Sequence, residues 1–92
     1  MMEVAAIIPA YNEEKNIGLV LSVVTQIPEI GEIVVVNDGS TDRTSQIALS
    51  FGVKLIELKE NQGKSLAMWA GVQHTTSPII LFLDADLIGL TK

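Results

Sequence analysis

Short apolar runs alternate with longer amphipathic segments along this sequence, and that alternation constrains the fold more than any other feature. The first, second and fourth runs are continuously apolar, as strands buried on both faces are. The third run alternates apolar and polar residues, which predicts a strand nearer to an edge of the sheet. The four runs are Val4 to Ile8, Ile33 to Val36, Val53 to Leu58, and Ile79 to Leu83.

The segments between the runs have the spacing and the terminal residues of helices. The first opens on Glu13 and Glu14 and ends near Pro28. The second is followed by Gly52 where a C′ glycine belongs, and the third spans about Gly63 to Thr75. The N-cap candidates of the second helix are Ser40, Thr41 and Asp42. The apolar residues at helical spacing are Ile17, Val20, Leu21 and Val24 in the first segment, Ile47, Ala48 and Phe51 in the second, and Leu66, Trp69 and Ala70 in the third.

This order of elements, βαβαβαβ, predicts an α/β fold with an open, mostly parallel sheet and helices on both faces. Ninety-two residues bury one modest core, so we expect a single domain over residues 1–92. In such sheets ligands bind beyond the carboxyl ends of the strands, where the strand order reverses. The residues that directly follow each apolar run are therefore the candidates for function.

Composition and charge exclude several classes of function. With 48% hydrophobic residues the chain is globular, and its formal net charge of −5 argues against a nucleic-acid partner bound by phosphate neutralisation. The absence of cysteine rules out thiolate metal sites. No apolar run is long enough to span a membrane, and the amino terminus lacks a basic leader. We expect a soluble, cytoplasmic protein, with peripheral association with a membrane left open.

The residues after the first run are suited to holding a nucleotide. Pro9 fixes the direction in which the chain leaves the strand, and Tyr11 can offer a flat face to a base. Glu13 or Glu14 can accept a hydrogen bond from a base or a ribose. A strand exit followed by the first turn of a helix accounts for the same residues without a ligand.

Asp38 lies at the tip of the second run, within Asn37-Asp38-Gly39. An ionised carboxylate is an acceptor only, so Asp38 could accept the imide N–H of uracil or an N–H of guanine. Asp-Gly is also a common turn, and Ser-Thr-Asp a common helix cap, so a purely structural interpretation stays open here.

Asp84 and Asp86 follow the fourth run. Two carboxylates two residues apart in an extended segment project to the same side, where they repel unless a cation lies between them. Mg²⁺ or Mn²⁺ takes such oxygen ligands and can bridge a diphosphate. The cation would also invert the local charge, which explains how an acidic protein could bind an anion.

The segment before the third helix, Glu60 to Ser65, invites a phosphate-loop interpretation that the sequence does not support. That motif requires glycine at the position of Leu58. Lys64 could still approach a phosphate near the helix N-terminus, although a solvated lysine is the favoured interpretation. Trp69 is expected in the core and His74 on the surface, so neither is a site candidate.

Taken together, these motifs resemble those of the family 2 glycosyltransferases, whose nucleotide-binding half has the Rossmann-like GT-A fold. The resemblance covers nearly the whole chain. It rests on PAYNEE at residues 9–14, VVVNDGSTD at 34–42, ENQGKSLAMWAG at 60–71, and LDADL at 83–87.

The resemblance implies a role for each matching position. Three residues would line the nucleotide pocket, a carboxylate would contact the base, and a DxD pair would lie near ribose, metal and diphosphate. The metal, Mg²⁺ or Mn²⁺, would be ligated by the second acid of that pair, with the first close by. These positions are Pro9, Tyr11 and Glu13 for the pocket, Asp38 for the base, Asp84 and Asp86 for the pair, and Lys64 as a secondary nucleotide contact.

The resemblance also implies an inverting transfer of a sugar from a UDP- or GDP-linked donor to an unknown acceptor. The family's general base and acceptor site follow the DxD motif, so we expect the base beyond Lys92 and none within the chain. The chain is then the N-terminal portion of a longer domain and inactive alone, and it is expected to form homo-oligomers through the apolar surface that truncation exposes. The alternatives are a non-catalytic nucleotide-binding or assembly module and, less favoured because PAYNEE is not rich in glycine and arginine, a sugar nucleotidyltransferase.

Overall fold

A computed structural model describes residues 3–86 of the chain and contains four strands and three helices within that range. All strand pairs are parallel, and the strand order is β3-β2-β1-β4. The predicted βαβαβαβ order and open α/β sheet are confirmed. The elements are β1 Val4–Ala10, α1 Ile17–Val24, β2 Ile30–Asp38, α2 Thr44–Ser50, β3 Lys54–Leu58, α3 Lys64–Val72 and β4 Ile79–Phe82.

The chain changes direction across the sheet once. It proceeds outward from β1 to β2 and β3, and α3 then returns it to β4 on the far side of β1. Helices α1 and α2 pack on one face with Ala6 and Ile8, whereas α3 packs on the other with Ile7. The reversal of strand order therefore lies between β1 and β4, where open α/β sheets bind ligands.

The two central strands are buried on both faces, as their continuous apolar sequences predict. Residues 5–8 are fully buried, and Val34, Val35 and Val36 of β2 are as well. The predicted position of the third strand is also confirmed, because β3 forms one edge of the sheet. Gly52 follows α2 with a φ of 72°, as expected for a C′ residue.

Several predicted boundaries differ from the structure, and β2 extends beyond the predicted run Ile33 to Val36 at both ends. Strand β1 continues through Pro9 to Ala10, because a parallel register pairs these residues with β2. Helix α1 begins at Ile17 and not at Glu13, since Asn12 has a φ of 53° and the Glu13 carbonyl accepts the Asn16 and Ile17 amides in a turn. Helix α3 is shorter than predicted and spans Lys64–Val72.

The predicted burial of β4 and Trp69 is wrong. Trp69 is 58% exposed and Phe82 43% exposed. Helix α3 buries small residues instead, because it lies so close to β1 that a Cβ added at Gly71 would be 2.4 Å from Ile7 Cγ2. Within residues 3–86, β4 pairs with β1 only, which leaves its other edge uncovered.

A polar cluster joins the amino-terminal part of β2 to the loop after α3. The Thr75 hydroxyl and the Lys54 ammonium both donate to the Glu32 carboxylate, and Lys54 Nζ also donates to the His74 carbonyl at 3.0 Å. The hydrogen bond from Thr75 lowers the pKa of Glu32, and Lys54 adds to this against the opposing effect of burial. His74 itself is exposed, as predicted.

The helices are short. Within residues 3–86, none has the length and the apolar character that crossing a membrane requires.

Candidate functional site

One cleft of about 300 Å³ opens at the carboxyl ends of the strands, next to the reversal of strand order. The seven residues to which the resemblance assigns a role all line it, although they come from four separate segments of the chain, whereas Glu14, the alternative to Glu13, does not. The cleft is lined by Pro9, Tyr11, Glu13, Asp38, Lys64, Asp84 and Asp86, together with Ala10, Asn61, Gly63 and Ala85. The roles of these residues toward a ligand stay predictions.

The wall that follows β1 is held by side chains of the neighbouring loop. Glu13 donates its amide to Thr44 Oγ1 at 2.9 Å, and its carboxylate accepts from Asn16 Nδ2 at 3.1 Å. Tyr11 is 47% exposed, so much of its ring is free to face a ligand. This wall thus combines an exposed aromatic ring with an anchored backbone.

A reciprocal pair of hydrogen bonds connects Asn12 to the loop after β2. The Asn12 amide donates to Ser40 Oγ at 2.8 Å, and the Thr41 amide donates to Asn12 Oδ1 at 2.9 Å. The sequence suggested Ser40 and Thr41 as N-caps of α2, and neither caps it in the structure. Both join the loops instead, because the carboxyl ends of β1 and β2 are adjacent.

A second pair of contacts extends this connection to the start of α2. The Glu14 amide donates to Asp42 Oδ2 at 3.2 Å, and the Arg43 amide donates to Glu14 Oε1 at 2.9 Å. The contacts between residues 12–14 and residues 40–44 are called the loop clasp below. They were not foreseen, since no local pattern in a sequence reports hydrogen bonds across about 30 residues.

Asp42 is not the N-cap residue of α2, which is Arg43, but its side chain accepts the amide of Thr44, the first residue of the helix. Its Oδ1 accepts the Thr44 amide at 3.0 Å and the Thr44 hydroxyl at 2.6 Å. Burial would raise the pKa of Asp42, but the hydrogen bonds from Thr44 and from the Glu14 amide together outweigh it and lower that pKa. Thr44 is fully buried and serves both Asp42 and Glu13.

Asp38 is buried, at 3% exposure, and its carboxylate accepts hydrogen bonds from other residues of the protein. Oδ1 accepts the Gln62 amide at 2.8 Å, and Oδ2 accepts the Gly63 amide at 3.0 Å. Asn61 Nδ2 lies 3.2 Å from Oδ2. Sequence reasoning missed these donors, because Gln62 and Gly63 precede α3 and lie 24 and 25 positions from Asp38 along the chain.

Lys64, the first residue of α3, forms an ion pair with Asp84. The hydrogen bond to Asp84 raises the pKa of Lys64, and the charges of Asp84 and Asp86 add to the effect. The Lys64 side chain is 62% exposed, as the interpretation of a solvated lysine predicts, and its ammonium is in addition paired with Asp84.

The segment after β4 ends in a turn and is not the extended segment that the sequence suggested. Ala85 and Asp86 have turn geometry, and Ala85 is buried at 4% exposure because it packs against the α1 and α2 side of the core. Asp84 and Asp86 nevertheless reach the same cleft. The buried alanine between them therefore anchors the pair at this edge.

The two aspartates fit a cation that is shared with a ligand. Over residues 3–86 no group of three or more histidine, cysteine, aspartate or glutamate side chains is gathered to hold a metal. Mg²⁺ is usually bound by one or two carboxylates together with phosphate oxygens and waters. Asp84 and Asp86 match that donor set, and a site completed by protein ligands alone does not form within the described part of the chain.

The chain matches a known protein family and several curated proteins. The model of glycosyl transferase family 2 matches residues 5–89. The 4,4'-diaponeurosporenoate glycosyltransferases of Staphylococcus aureus strains USA300 and NCTC 8325 are each 41% identical over 91 residues, which is 94% of this chain and 24% of theirs. The chain thus spans about a quarter of the length of these curated relatives.

Solved structures share this architecture. Glucosyl-3-phosphoglycerate synthase from Mycobacterium tuberculosis in complex with UDP matches with a TM-score of 0.83 at 29% identity, covering 95% of this chain and 35% of that chain. Its complex with Mn²⁺, UDP-glucose and phosphoglyceric acid matches with a TM-score of 0.83, over 95% of this chain and 34% of that one.

Proposed function

Since this chain belongs to glycosyl transferase family 2 and has the GT-A fold of its structural neighbours, we propose that it binds the nucleoside-diphosphate sugar of a glycosyl transfer. The observation that carries the proposal is the convergence of four sequence motifs on one cleft at the reversal of strand order. UDP is the first nucleotide to test, because the Mycobacterium tuberculosis enzyme was crystallised with it, and GDP is the second.

Each wall of the cleft has a distinct task in this proposal. Tyr11, with its exposed ring, stacks on the base, and the carboxylate of Glu13 accepts from the base or ribose. Asp84 and Asp86 hold Mg²⁺ or Mn²⁺ together with the diphosphate. The cation, when bound, stabilises the negative charge of the leaving diphosphate.

Lys64 supplies a positive charge from the protein itself, in addition to the charge of the cation. It stands at the N-terminus of α3, where the helix dipole and free amides favour an anion. Its ammonium pairs with Asp84, so a diphosphate bound between them would offer it a second partner.

The transfer itself requires more than this cleft. In an inverting transfer the bond between the anomeric carbon and the diphosphate oxygen breaks, an acceptor oxygen bonds to that carbon, and the acceptor proton passes to a base. We assign the base and the acceptor site to the part of the relatives that this chain does not match, so the chain alone binds donor without transfer. The support is coverage, since the chain matches 24% of the Staphylococcus aureus enzymes.

Calorimetry with UDP or GDP, with and without Mn²⁺, tests the proposal. Asp86→Ala should weaken Mn²⁺-dependent UDP binding at least about tenfold and leave metal-free binding unchanged. Glu29→Ala is the matched control, because it removes the same charge from an exposed position just before β2, at the end of the sheet opposite to the cleft. Equal affinities for the two variants would contradict the metal role, and binding without transfer by a full-length protein would indicate a binding module instead.

Association between copies of the chain is a second part of the proposal. It is supported by the apolar side chains exposed on β4 and by Trp69 on α3. Covering such a surface is favourable, and an unpaired strand edge offers hydrogen bonds to another chain. Light scattering that finds only monomers over a range of concentrations would contradict it.

A further inference from the structure

Residues 60–63, called the pre-helix segment below, rest on the carboxyl end of β2. The carboxylate of Asp38 receives three hydrogen bonds from this segment, two of them from backbone amides. A carboxylate offers about four acceptor positions, so most of the capacity of Asp38 is used by the protein itself. Asp38 is only 3% exposed, so an unpaired carboxylate at this position would be costly. The Asp38 carboxylate therefore depends on the hydrogen bonds that the pre-helix segment donates.

Gly39 provides a second and independent contact with the same segment. A Cβ added at Gly39 would lie 2.4 Å from the Asn61 nitrogen and 2.5 Å from the Glu60 carbonyl carbon, distances that real Cβ atoms do not show. The neighbours are backbone atoms, so no side-chain rotation could relieve the clash. Asp38 and Gly39 together therefore form a close-fitting seat for the pre-helix segment.

The position of this segment determines where Lys64 lies. Gly63 has a φ of 97° and directly precedes α3, of which Lys64 is the first residue. The ammonium of Lys64 then reaches across the cleft to Asp84. A chain of contacts thus leads from the end of β2, through the pre-helix segment, to the residue after β4.

We infer that Asp38 and Gly39 are positioning residues, which hold the pre-helix segment so that Lys64 faces the diphosphate. The inference rests on the proposed function for the identity of the ligand. It differs from the role that the sequence resemblance implies for Asp38, which is a direct contact with the base. The two roles predict different losses when Asp38 is replaced.

The first experiment measures amide hydrogen exchange of Gln62 and Gly63 in the ligand-free protein. Gly39→Ala should speed exchange at these amides about tenfold or more, because its Cβ displaces the segment. Gly52→Ala is the matched control, since Gly52 has a φ of 72° against 75° for Gly39 and its added Cβ would meet nothing within 4 Å. Equal exchange in the two variants would overturn the inference.

Asp38→Asn extends the same measurement if Gly39→Ala does not fold. The substitution keeps the size of the side chain but turns one acceptor into a donor that faces a backbone amide. Exchange at Gln62 and Gly63 should again rise about tenfold, with circular dichroism confirming the fold. Unchanged exchange in a folded Asp38→Asn protein would show that the carboxylate does not hold the segment.

The second experiment asks whether Asp38 acts through Lys64. Affinities for UDP and uridine are measured by titration for Asp38→Asn, Lys64→Met and the double variant. If Asp38 is a positioning residue, each single variant should weaken UDP binding about five- to tenfold. The double variant should then bind UDP no more weakly than Lys64→Met. Uridine binding should be unchanged in Asp38→Asn. Equal losses for UDP and uridine, additive with Lys64→Met, would assign Asp38 to the base and overturn the inference.

The two experiments also separate the inference from the proposed function. If the unaltered protein bound neither UDP nor GDP, the proposed function would fail and so would the assignment of Lys64 to a diphosphate. The exchange comparison would still decide whether Asp38 and Gly39 seat the segment.

Discussion

The two walls of the cleft are built in different ways. The wall after β1 is fixed by the loop clasp, in which side chains from one loop bind backbone amides of the other. The wall after β4 is a short turn at the edge of the sheet, anchored by the buried Ala85, and its Asp84 is paired with Lys64 across the cleft.

This difference suggests a division between a rigid and an adaptable wall. The Glu13 amide is held by the fully buried Thr44 hydroxyl, and separating the two would leave a buried polar group unpaired, which is costly. An exposed ion pair contributes little to stability, so its partners can exchange for a cation or a diphosphate at low cost. The base side of the site is therefore expected to be formed before a ligand arrives, and the diphosphate side to adjust to it.

The largest expected effect comes from breaking the clasp at Thr44. Thr44→Val keeps the shape but removes the hydroxyl that accepts the Glu13 amide and donates to Asp42. Because Thr44 is fully buried, the free energy of unfolding should fall by about 2 kcal/mol in urea denaturation. Ser50→Ala, which removes an exposed hydroxyl from the same helix, should change it by less than about 0.5 kcal/mol.

A loss for Thr44→Val no larger than that of the Ser50 control would show that the clasp does not stabilise this wall. UDP affinity provides a second comparison, because the clasp holds Glu13 beside the cleft. Restoration of UDP affinity in Thr44→Ser, which returns the hydroxyl, would attribute the loss to the hydrogen bonds and not to packing.

The sequence predicts the fold and the location of the site because both depend on repeated or local features. The order of apolar runs and helical segments is enough to predict a parallel sheet, whichever β-branched residue occupies a given strand position. The carboxyl ends of parallel strands lie at one edge, so Pro9, Asp38 and Asp84 had to come near one another once that order was recognised.

The contacts that fix the site could not be predicted, because they join residues distant in sequence. Asn12 and Ser40 are 28 positions apart, and nothing local to either residue distinguishes a loop contact from a helix cap. The exposure of Trp69 has a similar cause. The face that α3 buries is decided by how closely the helix approaches β1, and a close approach favours Gly71 over larger residues.

An intermediate effect on stability is expected from Asp42, whose carboxylate takes part in the loop clasp. The pKa of Asp42 is lowered in the folded protein, so the hydrogen bonds to its carboxylate stabilise the fold fully above the ordinary value of 3.8. That contribution is lost as the pH falls through the lower pKa of the folded state. In the unaltered protein, the urea concentration at the unfolding midpoint should decrease as the pH falls below about 4, and this decrease should be smaller in Asp42→Asn. Thr44→Val retains the carboxylate but removes the hydroxyl donor, so it should reduce the decrease to a lesser extent. An acid dependence identical to that of the unaltered protein in both variants would contradict this.

The smallest effect on stability should come from the adaptable wall. Lys64→Met removes the ion pair with Asp84, and because both side chains are largely exposed the urea midpoint should not change measurably. The same substitution should strengthen nucleotide-free Mn²⁺ binding about two- to fivefold, since the ammonium no longer competes for Asp84. Electron paramagnetic resonance of free Mn²⁺ measures this directly, with Lys15→Met as the control that removes an equal charge outside the cleft. A large loss of stability in Lys64→Met, or Mn²⁺ binding equal to that of the Lys15 variant, would mean that this wall is as firmly built as the clasped one.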